Sequence, residues 1–129
     1  MSILRPQIKI ESFGIFSSWD RNSKDLPRVE EFTEEIPAIE GKEFGMILHI
    51  TGGKGIKLDF CIKHPPFKDS KGIVEPDFTG VYHVSTNDYK FYLGDCIWLP
   101  VEDKAGIWHL IVEWKGKIIA EKKFNIILS

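Results

Sequence analysis

Apolar residues recur at every second position in a series of short runs along this chain. Period two sends successive side chains to opposite faces of an extended strand, so each run predicts a strand with one buried face. The clearest pair lies at the end of the sequence. Trp108, Leu110, Val112 and Trp114 share one face of the run that Gly106 opens. After Lys115-Gly116-Lys117, the residues Ile118, Ala120, Phe124, Ile126 and Leu128 share one face of the next. Two such runs around a glycine turn predict an antiparallel hairpin. Lys122 interrupts the second inward set, which predicts a bulge near residues 121–123 or an exposed edge where lysines block edge-to-edge pairing.

The same alternation recurs upstream. Ile8 and Ile10 have one parity, Phe13 and Ile15 the other. That slip near Ser12 predicts a bulge or kink able to pass a strand from one sheet to another. Residues 44–51 turn Phe44, Met46, Leu48 and Ile50 inward, and Gly45, Ile47 and His49 outward. Residues 56–64 turn Ile56, Leu58, Phe60 and Ile62 inward, with Lys57, Asp59, Cys61 and Lys63 outward, until Pro65-Pro66 ends the ladder. Tyr82 and Val84 share a face in residues 80–85. Tyr89, Phe91 and Leu93 do so in residues 89–99, where Gly94-Asp95 reads as a break. Between residues 44–51 and 56–64, Thr51-Gly52-Gly53-Lys54-Gly55 faintly suggests a phosphate loop. Strands flank it on both sides and no Ser or Thr follows the lysine, so it reads as a hairpin turn.

Residues 17–43 are the exception. Acids outnumber bases there, and Val29, Phe32, Ile36 and Ile39 are scattered without a period. Residues 29–35 suggest an extra edge strand. Seven strand candidates and no convincing helix predict an all-β, immunoglobulin-like sandwich of two antiparallel sheets, a single domain over residues 1–129, with a Greek-key barrel as the alternative.

Composition narrows the function. A net charge of −2 gives no electrostatic footprint for nucleic acid or an anionic membrane. No run is long enough to span a bilayer, and the first residues lack the apolar core of a leader, so a cytoplasmic protein is the default. Cys61 and Cys96 are then expected as unpaired thiols. Cys61-Ile62-Lys63-His64 has the spacing of half a metal site. On a strand, however, positions three apart point to opposite faces, and no second pair exists, so no metal or cofactor is expected. No nucleophile elbow and no catalytic Cys/His pairing is visible, and the acids crowd the irregular segment, which argues against an enzyme.

Two features suggest contact with something else. Trp108 belongs to the core, but Trp19 and Trp98 sit near loops. They are candidate ligand-stacking aromatics at one end of the sandwich, unless they pack beneath those loops. The outer face of the closing hairpin carries Ile107, His109, Ile111, Ile119 and Ile127, whereas a face turned to water should be mostly polar. Either residues 17–43 lie over it, which is the preferred reading, or another chain does, most simply a second copy in a homodimer. The expected function is a non-catalytic protein-binding or assembly module, with a small-molecule or carbohydrate binder as the alternative.

One set of residues is more distinctive. Ile36-Pro37, Gly41-Lys42-Glu43-Phe44-Gly45, His64-Pro65-Pro66, Gly106-Ile107-Trp108, Gly116, and Ala120 with Phe124 resemble the pattern of domain-of-unknown-function family 3859. This is a family of short, mostly bacterial proteins. The resemblance runs from about Ile8 to Ile127. It implies a sandwich-like fold and no established activity, and it carries over no catalytic residue.

Overall fold

The computed structural model describes residues 6–20, 22, 23 and 25–128; most of the amino-terminal segment considered above as a leader lies outside the described residues. Among the described residues, nine strands follow one another: β1 (Gln7–Phe16), β2 (Val29–Glu31), β3 (Glu35–Pro37), β4 (Glu43–Thr51), β5 (Lys57–Lys63), β6 (Phe78–His83), β7 (Asp88–Cys96), β8 (Gly106–Trp114) and β9 (Lys117–Ile127). A 3₁₀ turn, Glu102–Lys104, precedes β8. The strands form a four-stranded sheet in the order β2-β1-β4-β7 and a five-stranded sheet in the order β3-β9-β8-β5-β6. All pairs are antiparallel except β3 with β9. The two strands beyond the seven expected are β2 and β3, each only three residues long and drawn from the irregular segment.

The inward sets meet as the alternation requires. Phe44, Met46, Leu48 and Ile50 of one sheet face Leu58, Trp108, Leu110, Val112 and Phe124 of the other, and all are fully buried. Phe60 is only partly buried, because its ring lies over Gly80 on the edge strand β6, where an added Cβ would meet it at 2.5 Å. The Trp108 indole N–H donates to the Lys104 carbonyl at 2.8 Å and ties the start of β8 to the preceding loop. A tyrosine performs this corner role in many such sandwiches.

Several local expectations need correction. The turn at residues 52–55 is no hairpin, because β4 and β5 belong to different sheets. It is tied instead to the segment before β7, through Gly52 N–H to Asn87 O at 2.9 Å and Gly55 N–H to Val84 O at 2.8 Å. The slip in β1 is a bulge at Glu11, between the pairs Ile10↔Leu48 and Ser12↔Ile47, but β1 stays in one sheet throughout. Gly94-Asp95 does not interrupt β7. A Cβ on Gly94 would meet the Tyr92 hydroxyl at 2.3 Å and the Phe44 carbonyl at 2.2 Å, so the glycine seats the Tyr92 side chain rather than ending the strand.

The bulge in β9 lies earlier than residues 121–123. Ala120 pairs with Val112 and Ile118 with Glu113, leaving Ile119 as the extra residue. The parity therefore inverts before Ala120. Ile118 turns outward and is 50% exposed, while Ile119 packs against the core cluster. Leu128, expected inward, lies past the end of β9 and is exposed. Lys122 keeps its inward parity opposite Leu110 without a bulge. Its aliphatic stem accommodates burial while the ammonium reaches the sandwich edge, 3.8 Å from the Phe13 ring centre and 3.5 Å from Glu34 Oε2.

Residues 17–43 also run elsewhere than expected. Trp19, Leu26 and Val29 pack on Phe16, Ile47 and Tyr92, over the outer face of the four-stranded sheet. β3 then pairs with the end of β9 and sends Ile36 into the core, while Phe32 and Ile39 remain exposed. The segment closes the opposite face of the molecule from the one that Ile107 and Ile111 occupy.

Candidate functional site

The outer face of the five-stranded sheet is built in rows, because residues paired across strands stand side by side. Thr79, Cys61, Ile111 and Glu121 form the central row. Toward the β8–β9 turn lies the row Val81, Asp59, Glu113 and Ile118. In the other direction lie Lys63, His109 and Lys123, and beyond them Ile107 and Asn125. Rows of one face are two residues apart, about 7 Å along the strands. An acidic row and a basic row thus flank a central row whose middle pair, Cys61 and Ile111, is apolar.

Exposure across this face is uneven. Ile107 is 54% exposed, Val81 43% and Ile127 39%, whereas Ile111 is only 5% exposed. Ile111 lies between Cys61 and Glu121, and the Glu121 carboxylate accepts a hydrogen bond from His109 Nε2 at 2.9 Å beside it. Cys61 and Glu121 flank it on its own sheet, while Trp19, Leu26 and Val29 of the 17–43 segment pack over the other sheet. Cys61 Sγ lies 3.9 Å from Asp77 Oδ2, its thiol donating. Partial burial pushes the Cys61 thiol above its ordinary pKa, and the Asp77 charge adds to that shift. A shallow depression lined by Phe60, Asp59, Cys61, Val81 and Glu113 opens next to Gly80. The hairpin residues expected together as a surface are thus divided. Ile107, His109, Ile111 and Ile127 stay on this face, Ile119 leaves it, and Ile118 takes its place.

The two candidate stacking tryptophans lie in separate clusters. Trp19 packs edge-on to Tyr92 at 5.0 Å, and its indole N–H donates to Asp25 O at 2.7 Å. Trp98 joins Phe67 at 5.2 Å and Trp108 at 6.1 Å. Over its ring, 4.5 Å from the centre, stands the ammonium of Lys104, which is also 4.8 Å from the Phe67 centre. Lys104 is 1% exposed and donates to Pro100 O at 3.0 Å and to Asp103 Oδ1 at 2.5 Å. The protein therefore sets its own cation over that ring, which stays partly exposed. Sequence reasoning missed Lys104, since a lysine in the charged run Glu102-Asp103-Lys104 reads as solvated surface.

Other chemistry is sparse among the described residues. His49 Nε2 meets Asp88 Oδ1 on the outer face of the four-stranded sheet. No group of three or more His, Cys, Asp or Glu side chains among the described residues is placed to hold a metal ion. No disulfide joins Cys61 and Cys96, which lie in different sheets. No helix among the described residues is long and apolar enough to cross a membrane.

Comparisons with known proteins bear on this arrangement. The fold is similar to the crystal structure of an immunoglobulin-like protein from Pseudomonas aeruginosa, with a TM-score of 0.76 and 22% sequence identity over 94% of this chain and 97% of that one. No curated protein matches the sequence. The order of the strands is the immunoglobulin-like one, with β1, β4 and β7 in one sheet and β9, β8, β5 and β6 in the other. The family described as a domain of unknown function (DUF3859) matches residues 4–126, nearly the whole sandwich, and the chain belongs to that family.

Proposed function

We propose that this protein is a non-catalytic protein-binding module whose contact surface is the outer face of the five-stranded sheet. One observation carries the reading: the two outer faces are treated differently. The four-stranded sheet hides Phe16, Ile47 and Tyr92 beneath Trp19, Leu26 and Val29 of its own chain. The five-stranded sheet leaves Ile107, Val81 and Ile118 about half exposed. They stand at the margins of the face around the apolar pair Cys61 and Ile111, and a sheet face that its own chain leaves uncovered favours contact with another macromolecule. The Lys104 ammonium over Trp98 argues against that ring as a platform for sugars or other small ligands.

The test compares three tagged baits in extracts of the source cell: the unaltered protein, the face variant Ile107→Asp/Val81→Lys, and the control Ile39→Asp, whose change lies at an exposed site on the 17–43 segment. The unaltered and control baits should retain a common set of proteins that the face variant loses. Retention of the same set by all three would overturn the reading, and so would retention of nothing by any bait if the protein also fails to self-associate.

A further inference from the structure

We infer that the occupant of this face is a second copy of the chain, docked face to face about a two-fold axis that runs across the strands along the row Thr79, Cys61, Ile111 and Glu121. The inference rests on the proposed function above and names its partner.

The argument is one of charge placement. Asp59 and Glu113 stand one row to one side of the central row; Lys63, His109 and Lys123 stand one row to the other, and the Asp77 carboxylate lies beside Cys61. A two-fold axis lying in the interface across the strands exchanges the two sides. It sets Asp59 of each copy against Lys63 of the other, and Glu113 against His109. Cys61 and Ile111 then meet their own counterparts at the centre, where an apolar contact is wanted, and Ile118 lies along the aliphatic stem of Lys123 of the other copy. Glu121, the charged member of the central row, meets its own counterpart at the margin on β9, and the His109 that faces Glu113 of the other copy also holds it at 2.9 Å. An axis along the strands would instead keep each row over itself. Asp59 would face Glu113, so like charges would oppose one another. The same pattern therefore favours one symmetric docking and penalises the other. The open depression beside Gly80 adjoins the acidic row.

The experiment measures self-association of the full chain by sedimentation, from micromolar concentration to about 1 mM. The unaltered protein should form dimers in that range. Lys63→Glu places two repelling pairs in each dimer and should weaken it by about tenfold or more. Asp59→Lys/Lys63→Glu exchanges the partners and should restore the affinity to within about threefold. Both side chains are exposed, so the fold should survive, and thermal unfolding checks it; Glu113→Lys replaces Lys63→Glu if that variant unfolds. A short bismaleimide should join two chains through Cys61 in Cys96→Ser protein and not in Cys61→Ser protein. A disulfide is the wrong probe, since stacked sheets lie about 10 Å apart.

A protein that stays monomeric to about 1 mM overturns the second copy. So does a dimer indifferent to Lys63→Glu, unrescued by the double change, or uncrosslinked through Cys61. A monomer whose face variant still loses captured proteins would leave the binding-module reading standing. A monomer with no differential capture would remove both.

Discussion

Trp108 and Lys104 show how much one residue can anchor. Trp108 fills the core between the sheets, edge-on to Phe44 at 5.3 Å, and its N–H satisfies the Lys104 carbonyl. Trp108→Ala should cost about 3–5 kcal/mol in urea unfolding, because a large cavity and an orphaned carbonyl appear together. A loss below about 1 kcal/mol would contradict its central place. Lys104→Ala removes a buried cation from two rings and strips Pro100 O and Asp103 of their donor. Asp103 is partly exposed and regains water, so the expected cost is about 2–3 kcal/mol, less than for a fully enclosed pair. Cys61 gives a chemical readout. Burial, followed by the Asp77 charge, raises its thiol pKa, so less thiolate is present at a given pH. Alkylation of Cys61 should be slower than that of an unperturbed thiol at pH 8, and should still be rising with pH where the free thiol has levelled off. Equal rates across the range would mean that the thiol is not shielded.

Within the elements, what could be read in advance was the alternation and what could not was its interruptions. Long strands such as β4 and β8 announce themselves because Phe44 to Ile50 and Trp108 to Val112 keep strict parity. The bulge in β9 does not. Ile118, Ile119 and Ala120 are all apolar enough for either face, so nothing in their identity says which is the extra residue. β2 and β3 are too short to carry a period, and their places come from tertiary contact: Ile36 fills the core and β3 lies along β9. Gly94 shows the same limit at a single position, since a glycine that ends a strand and one that seats a neighbour look alike in sequence. The distinction is measurable. Gly94→Ala would drive a methyl into the Phe44 carbonyl and Tyr92, and should cost more than about 2 kcal/mol. Gly116→Ala, in the β8–β9 turn with φ 78° and open space around it, meets only the left-handed backbone penalty of about 1 kcal/mol. If the two variants unfold at the same urea concentration, the close approach at Gly94 is not what the glycine serves.

At the scale of the whole molecule, the class and the inward faces were legible, but the contact surface was only half so. The hairpin's outer isoleucines were visible as a run of the wrong polarity. Their cover was not, because it depends on which sheet residues 17–43 cross, and that segment has no pattern to aim it. The charge rows were invisible as well: Asp59 with Glu113, and Lys63 with His109, become neighbours only once the β5–β8 register is known. Those rows make a prediction that an apolar patch alone would not. If opposite charges meet across the dimer, added salt screens attraction, and the dissociation constant should rise between about 0.05 and 0.5 M salt, as the screening length falls well below the row spacing. In Lys63→Glu the same positions repel, so salt should lower the dissociation constant instead. A contact held by Ile107, Val81 and Ile118 alone would tighten slightly with salt in both proteins, because apolar association is insensitive to screening and favoured by excluded ions. Sedimentation of both proteins at matched concentration and increasing salt therefore reads the sign of the electrostatic contribution directly. Two slopes of opposite sign support charge-matched rows, and two slopes of the same sign refute them even if a dimer forms.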